Sequence, residues 1–214
     1  MYKHFFKRFL DILVALIALP FVLLAIIIFA PIIYINDPGP IFYNAERRGK
    51  GGKTFKMFKL RSMYVNAPDI RNADGSTFNS DNDPRVTKVG RFMRKTSLDE
   101  VPQLLNVLIG DMSLVGPRPT LAVTPYEELT GYAKERFASR PGITGYAQAY
   151  YRNAIGQQEK FKYDCYYNEN MSFLLDIKIL FKTVQSVLVH ENIYVTAESQ
   201  PETVEATKEE VTAE

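Results

Sequence analysis

The sequence predicts an α+β fold, mainly helical: one apolar N-terminal helix inserted in a membrane, then a small domain of short strands and interfacial amphipathic helices. Three observations predict it. From Ile12 to Asn36 the chain carries no Asp, Glu, Lys or Arg. Two short strand-like stretches, IFY at 41–43 and TFKMFKL at 54–60, flank Gly49, Gly51 and Gly52. Helical patterns then dominate from residue 91 to residue 189.

The apolar run is long enough to cross a bilayer, which takes about 20 residues. It is too long for the core of a signal peptide, and the cleavage point after Ala30 would be followed by Pro31. Its flanks are both basic: Lys3, Lys7 and Arg8 precede it, and Arg47, Arg48, Lys50, Lys53, Lys56, Lys59 and Arg61 follow. Basic flanks favour the cytoplasmic side. A straight span cannot satisfy both, whereas a helix broken at Pro20, entering one leaflet and returning, can. Charge alone leaves the span and the hairpin open. The expected organisation is a membrane segment over 1–36, a domain over 37–197 and an acidic, disordered tail over 198–214.

Asp37-Pro38-Gly39-Pro40 is a turn that ends the apolar segment. Residues 66–90 are polar and read as a long loop. Residues 91–94 read as a short basic helix, and Ser97–Ile109 as a clear helix stopped by Gly110. Gly116-Pro117-Arg118-Pro119 is a rigid turn. Tyr126–Ser139 reads as a polar helix ended by Pro141-Gly142, and 159–189 as a helix with a broad apolar stripe.

With 214 residues and 46% apolar composition, the chain suits one domain with a real core, not a disordered or collagen-like protein. One cysteine, Cys165, excludes an internal disulfide and a Cys-rich zinc site. His4 and His190 are too far apart in sequence to suggest a multi-His metal site. The net charge of +2 hides an asymmetry: residues 198–214 hold six Glu and one Lys, leaving +7 on the rest. A basic body on a membrane anchor points to anionic partners such as lipid head groups, phosphates or nucleotides. No nucleic-acid motif is present.

The chemistry concentrates at Thr96-Ser97-Leu98-Asp99-Glu100. Ser97 with Glu100 three residues on is a capping box, which gives both acids a structural reading. A second reading places Asp99 at a helix N-terminus, where a phosphate docks and a carboxylate can attack it. That chemistry needs cations. Arg94 and Arg118 lie close, Lys59, Arg61 and Arg85 add positive field, and Mg²⁺ suits a carboxylate–phosphate site. Each cation read singly is a surface charge. Tyr132, Tyr146, Tyr150 and Tyr151 could stack on a base or sugar, though such aromatics more often pack in cores.

Beyond these local readings, the chain resembles the bacterial sugar transferase family, the monotopic phosphoglycosyl transferases. The resemblance rests on Lys7-Arg8 with Asp11, Gly39-Pro40-Ile41-Phe42 and Phe58-Lys59-Leu60-Arg61-Ser62-Met63. It continues through residues 83–119, Arg140-Pro141-Gly142-Ile143-Thr144-Gly145 and Asp176-Ile177-Lys178-Ile179, covering roughly 3–190. It implies transfer of a sugar phosphate from a UDP-sugar to undecaprenyl phosphate, with release of UMP. It implies Asp99 as nucleophile and metal-binding carboxylate, Glu100 as its partner, Arg94 paired with that Glu, and Arg118 on phosphate. It also implies Mg²⁺, a re-entrant membrane helix and a catalytic domain on the cytoplasmic face of the bacterial cell membrane. A homo-oligomer stays open. Two departures stand out: Leu19-Pro20 replaces the family's Ser-Pro break, and Tyr146-Ala147-Gln148-Ala149 replaces Trp-Ala-Gln-Val. A non-catalytic membrane-surface module and a membrane phosphohydrolase are the competing functions.

Overall fold

The computed structural model describes residues 2–70, 78, 80, 82–152 and 154–188. The acidic segment 198–214 and His190 lie outside them. The described residues are mostly helical, with a few short strands. A π-helical turn over Tyr2–Phe6 leads into α1, Lys7–Asn36, the one described helix long and apolar enough to cross a membrane. Pro20 and Pro31 both lie inside it. The expected break at Pro20 therefore does not divide the segment into two helices; each proline removes one hydrogen bond and the turns on either side continue the helix.

The first strand pair is β1, Ala45–Arg48, and β2, Thr54–Met57, antiparallel with Ala45 opposite Met57. The expected strand at 41–43 shifts to 45–48; Phe42 makes only an isolated bridge to Leu60. The glycines between them form a tight turn over Lys50–Gly52. Helix α2 spans Lys88–Thr96, capped by Thr87, whose hydroxyl accepts from the Gly90 amide at 2.9 Å. Gly90 is required by approach: a Cβ there would lie 1.8 Å from the Ser62 carbonyl oxygen.

The expected helix over 97–109 is two pieces. A 3-10 turn covers Leu98–Glu100, and α3 covers Gln103–Ile109. Pro102, without an N–H, separates them. Ser97 is left-handed at φ 57° and makes no side-chain cap, so the expected capping box is not formed.

Strand β3, Ser113–Val115, pairs in parallel with β4, Gly142–Thr144, a contact between segments about 30 residues apart. The expected helix over 126–139 is instead two 3-10 turns around a four-residue α4, Tyr132–Glu135, which starts after left-handed Gly131. Helix α5 is Tyr146–Tyr150, α6 is Gln157–Asn170 and α7 is Phe173–Leu188. The single helix expected over 159–189 is thus split at Met171-Ser172.

Helix α1 is tied to the domain along its length. Ala15 packs with Met57, Val107 and Met112, and Ile33 with Leu60 and Met93. The N-terminal cations are all engaged. Lys3 donates to the Asn168 and Glu169 carbonyls at the end of α6, and Arg8 to the Val107 and Leu108 carbonyls at the end of α3. Cations suit the negative ends of helices. Lys7 forms a 2.8 Å ion pair with buried Asp176, which also accepts from Tyr2 and Tyr167. Asp11 accepts from the Ser113 hydroxyl and the Leu114 amide. The opposite face of α1 is open: Ile17, Phe21, Leu24, Ile27 and Ile28 are exposed.

Candidate active site

The 3-10 turn Leu98–Glu100 sits between α2 and α3 and presents its two acids in different settings. Asp99 is 2% exposed, and its carbonyl accepts from the Leu60 amide at 2.9 Å. That backbone bond brings the Phe58–Met63 segment, and with it Lys59, over the dyad. Lys59 Nζ lies 2.9 Å from Asp99 Oδ2 and 3.1 Å from Glu100 Oε1. The bond to Glu100 is aligned. The contact to Asp99 is an ion pair off the hydrogen-bonding direction, so Asp99 Oδ2 is buried without a hydrogen-bond donor.

Arg118 reaches the same Glu100 oxygen at 3.6 Å. The dyad thus sits against two cations. Burial pushes the Glu100 carboxyl up, but Lys59 and Arg118 outweigh it and hold it down to about 2. Burial would lower the Lys59 ammonium; Asp99 and Glu100 overcome this and raise it. Both Lys59 and Glu100 are therefore charged at neutral pH.

The other sequence candidates divide. Lys59, Arg118, Asp99 and Glu100 come together as expected. Arg61 does not join them: it is buried on Asp37, with Nη1 2.9 Å from Oδ2 and Nη2 on the Asp37 carbonyl. It fastens the turn that closes α1. Arg85 is buried on Asp83 and donates to the carbonyls of Pro68, Ile70 and Phe78. The hydrogen bonds that Arg85 donates to Asp83 hold its carboxyl below the usual range. Both arginines are engaged by a carboxylate and by loop carbonyls, and Arg61 Nε is buried without a partner. Arg94 donates through Nε to Ser62 Oγ at 2.9 Å.

The Arg118 turn is built by a parallel strand pair and by close glycines. Gly116 donates to the Thr144 carbonyl and Gly142 to the Pro117 carbonyl, both at 2.9 Å. A Cβ on Gly145 would lie 2.2 Å from the Gly116 oxygen. Arg136, buried on Asp164, donates to the Arg118 carbonyl at 2.6 Å. Sequence reasoning missed Arg136, because its Glu-Glu-Leu-rich surroundings read as a solvated helix. It also missed Asp37 and Asp83 as partners, since nothing in a turn motif says which arginine will return to it.

The tyrosines cluster with one another. Tyr146 lies 4.7 Å from Tyr150 and 5.7 Å from Tyr163, and Tyr151 lies 4.5 Å from Tyr163, centroid to centroid. Tyr132 lies apart on α4. Among the described residues no group of three His, Cys, Asp or Glu side chains assembles a metal cage. Two adjacent carboxylates fit Mg²⁺ nonetheless, since that ion binds one or two carboxylates and completes its shell with water and substrate phosphate. Asp99 Oδ2 makes no aligned hydrogen bond but lies against the Lys59 ammonium, so it would reach the ion only once Lys59 moves aside.

Comparison with known proteins gives a consistent result. Residues 2–190 match the family described as bacterial sugar transferase. A UDP-N-acetylgalactosamine-undecaprenyl-phosphate N-acetylgalactosaminephosphotransferase of Aeromonas hydrophila is 40% identical over 189 residues, 86% of this chain and 44% of the relative. An undecaprenyl-phosphate galactose phosphotransferase of Salmonella typhimurium is 39% identical over 212 residues, 90% of this chain and 42% of the relative. An uncharacterized sugar transferase, EpsL, of Bacillus subtilis is 43% identical over 197 residues, 90% of this chain and 94% of the relative. The chain spans less than half of the first two proteins and nearly all of the third. The match runs from the start of the apolar helix to the end of α7 and takes in the whole carboxylate–cation cluster: this chain belongs to the bacterial sugar transferase family.

Proposed function

We propose that this chain is a phosphoglycosyl transferase that moves a sugar phosphate from a UDP-sugar to undecaprenyl phosphate, at the first membrane step of bacterial glycan assembly. The observation that carries this is the buried Asp99 carboxylate, bridged by Lys59 to Glu100, with Arg118 on the same Glu100. The names of the relatives supply the lipid acceptor. Those names differ in the sugar, so the sugar stays open.

In the first step an Asp99 oxygen attacks the sugar-bearing β-phosphorus. The bond from that phosphorus to the bridging oxygen breaks, and UMP leaves with the electron pair. In the second step a phosphate oxygen of undecaprenyl phosphate attacks the same phosphorus. The aspartyl oxygen leaves, Asp99 returns as a carboxylate, and the product is undecaprenyl diphosphate sugar. Asp99 is covered in the resting arrangement, so attack requires Lys59 to exchange one anion for another, moving from the carboxylate to the incoming diphosphate. Arg118, whose side chain is exposed and only loosely paired with Glu100, can make planar contacts to phosphate. Mg²⁺ held by Asp99 would neutralise charge on the diphosphate.

The membrane reading is a chain entering and leaving on one face. Helix α1 has 30 residues and, if straight, would be about 45 Å long. Both of its ends bind the same domain, through Lys3, Lys7, Arg8 and Asp11 at one end and Ile33 and Asp37 at the other. A straight span would carry the first group across the hydrocarbon, about 30 Å thick, away from those partners. A re-entrant course bent at Pro20, with the domain on the cytoplasmic face, keeps all of them. The deciding experiment is UMP release from UDP-sugars by the membrane-reconstituted protein. Release that depends on added polyprenyl phosphate supports the transferase. Release without lipid makes it a hydrolase, and none makes it a non-catalytic module.

A further inference from the structure

Arg136 is among the largest fully buried side chains of the described residues, at 2% exposure, and its guanidinium joins α6 to the Arg118–Thr120 turn. Nε and Nη2 grip Asp164 Oδ2 at 2.9 and 2.5 Å. Nη1 donates to Thr120 Oγ1 at 3.1 Å, and Nη2 to the Arg118 carbonyl at 2.6 Å. The guanidinium lies 4.5 Å from the Phe161 ring centroid and 5.2 Å from that of Phe137. A charge sunk this deep is expensive unless every donor has work. Two of its acceptors are not the counter-ion but the backbone and side chain on either side of Pro119.

Arg118 needs such help. Its side chain is 55% exposed, and its one described ion pair, to Glu100, is long at 3.6 Å. Contacts of its own do not hold it in one direction, so its aim is set by its backbone. Pro119 restricts Arg118 to extended conformations but leaves a range of ψ. A hydrogen bond to the Arg118 carbonyl removes that range by fixing the plane of the peptide. On the other side the Pro117 carbonyl is already fixed by the Gly142 amide.

We propose that Arg136 is a positioning residue: it clamps the Arg118 carbonyl against α6 and so aims the Arg118 guanidinium at the Asp99–Glu100 dyad. The pair Arg136–Asp164 does for the turn from below what the parallel β3–β4 contact does from the side. This rests on the transferase reading, because it assigns Arg118 a substrate to meet.

The test is a double-mutant cycle on the full chain in membranes, reading kcat and KM for UDP-sugar together with the melting temperature. Arg136→Lys keeps the charge against Asp164 but cannot also span Thr120 and the Arg118 carbonyl. We expect kcat/KM to fall about tenfold, the weight of one charged hydrogen bond. In an Arg118→Ala background the same change should cost less than about twofold, because the residue it aims is gone. Asp164→Asn and Thr120→Val, which loosen the same guanidinium from two other sides, should repeat that non-additivity. Equal losses in both backgrounds, or no loss at all, would overturn the proposal. Failure of all three variants to fold would also overturn it, by assigning the cluster to the core alone. A wild-type protein that releases no UMP refutes the transferase reading instead, which keeps the two failures distinct.

Discussion

Replacing Lys59 with Met removes the one cation that touches both acids while keeping an apolar stem of similar length. The ammonium lies 2.9 Å from Asp99 Oδ2 and 3.1 Å from Glu100 Oε1 and is 18% exposed, so solvent does little to screen it. At an effective dielectric of about 20, one such contact is worth up to about 5 kcal/mol, and removing one partner of a buried pair typically costs about 3–5 kcal/mol. The lower figure is apt, because Glu100 keeps Arg118. It corresponds to roughly two pH units on a carboxyl. Glu100 is held down to about 2 in the intact site, so loss of Lys59 moves its protonation upward, towards or past the ordinary carboxylate range. The sign follows. Activity that needs a charged Glu100 should be flat for the wild type from neutral pH down to about 4, while Lys59→Met should lose activity as pH falls from about 5 to about 4. A group whose folded value is depressed stabilises the fold above its ordinary value of 4.5, and that contribution is lost as pH falls towards 2. The melting-temperature gap between wild type and variant should therefore be widest above pH 4.5 and close below it. The assay is UMP release against pH at saturating lipid, with thermal melts at the same pH values. Parallel profiles for the two proteins would refute the account of Lys59 as the charge that keeps Glu100 ionised.

Four further outcomes are expected. Asp99→Asn should abolish UMP release in a protein that still folds, and substantial turnover, with mass spectrometry excluding deamidation, would remove Asp99 as nucleophile. Arg118→Lys should raise the transition-state barrier by about 2 kcal/mol, read as kcat/KM, since an ammonium cannot make a planar two-donor contact; unchanged kinetics would make Arg118 a surface charge. Arg85→Met should act on stability alone: it strands buried Asp83, lowers the melting temperature by an amount equal to about 3 kcal/mol, and leaves KM for UDP-sugar within about twofold. Cysteines placed at Tyr2 and Asn44 in a Cys165→Ser background should both resist an impermeant thiol reagent in intact cells and react once the membrane is opened; labelling of position 2 alone would establish a straight span.

Some of the protein was decided by local chemistry, and that part was legible in the chain. The uncharged run to Asn36, the glycines of the β1–β2 turn and the helix-stopping Gly110 act on their immediate neighbours, so residue type and spacing suffice. The candidate site was legible through the family resemblance, which rests on Leu98-Asp99-Glu100 and Gly116-Pro117-Arg118-Pro119 at their spacing. What local pattern misjudged was continuity. Pro102 ended the helix expected over 97–109, and Gly131 and Met171-Ser172 interrupted two more, because a helix of marginal propensity persists only where tertiary packing supports it. Partnership was decided by the tertiary structure alone. Lys59 and Arg61 are two residues apart, the spacing that puts side chains on one face of an extended segment, yet one lies on the dyad and the other on Asp37, because the partner that meets each comes from a different part of the chain. Arg85, read singly as a surface charge, and Arg136, which the sequence did not single out, are both buried. A charge enters the interior only where a partner from a distant segment meets it. Asp164 meets Arg136 from α6, and no spacing along the chain announces that encounter.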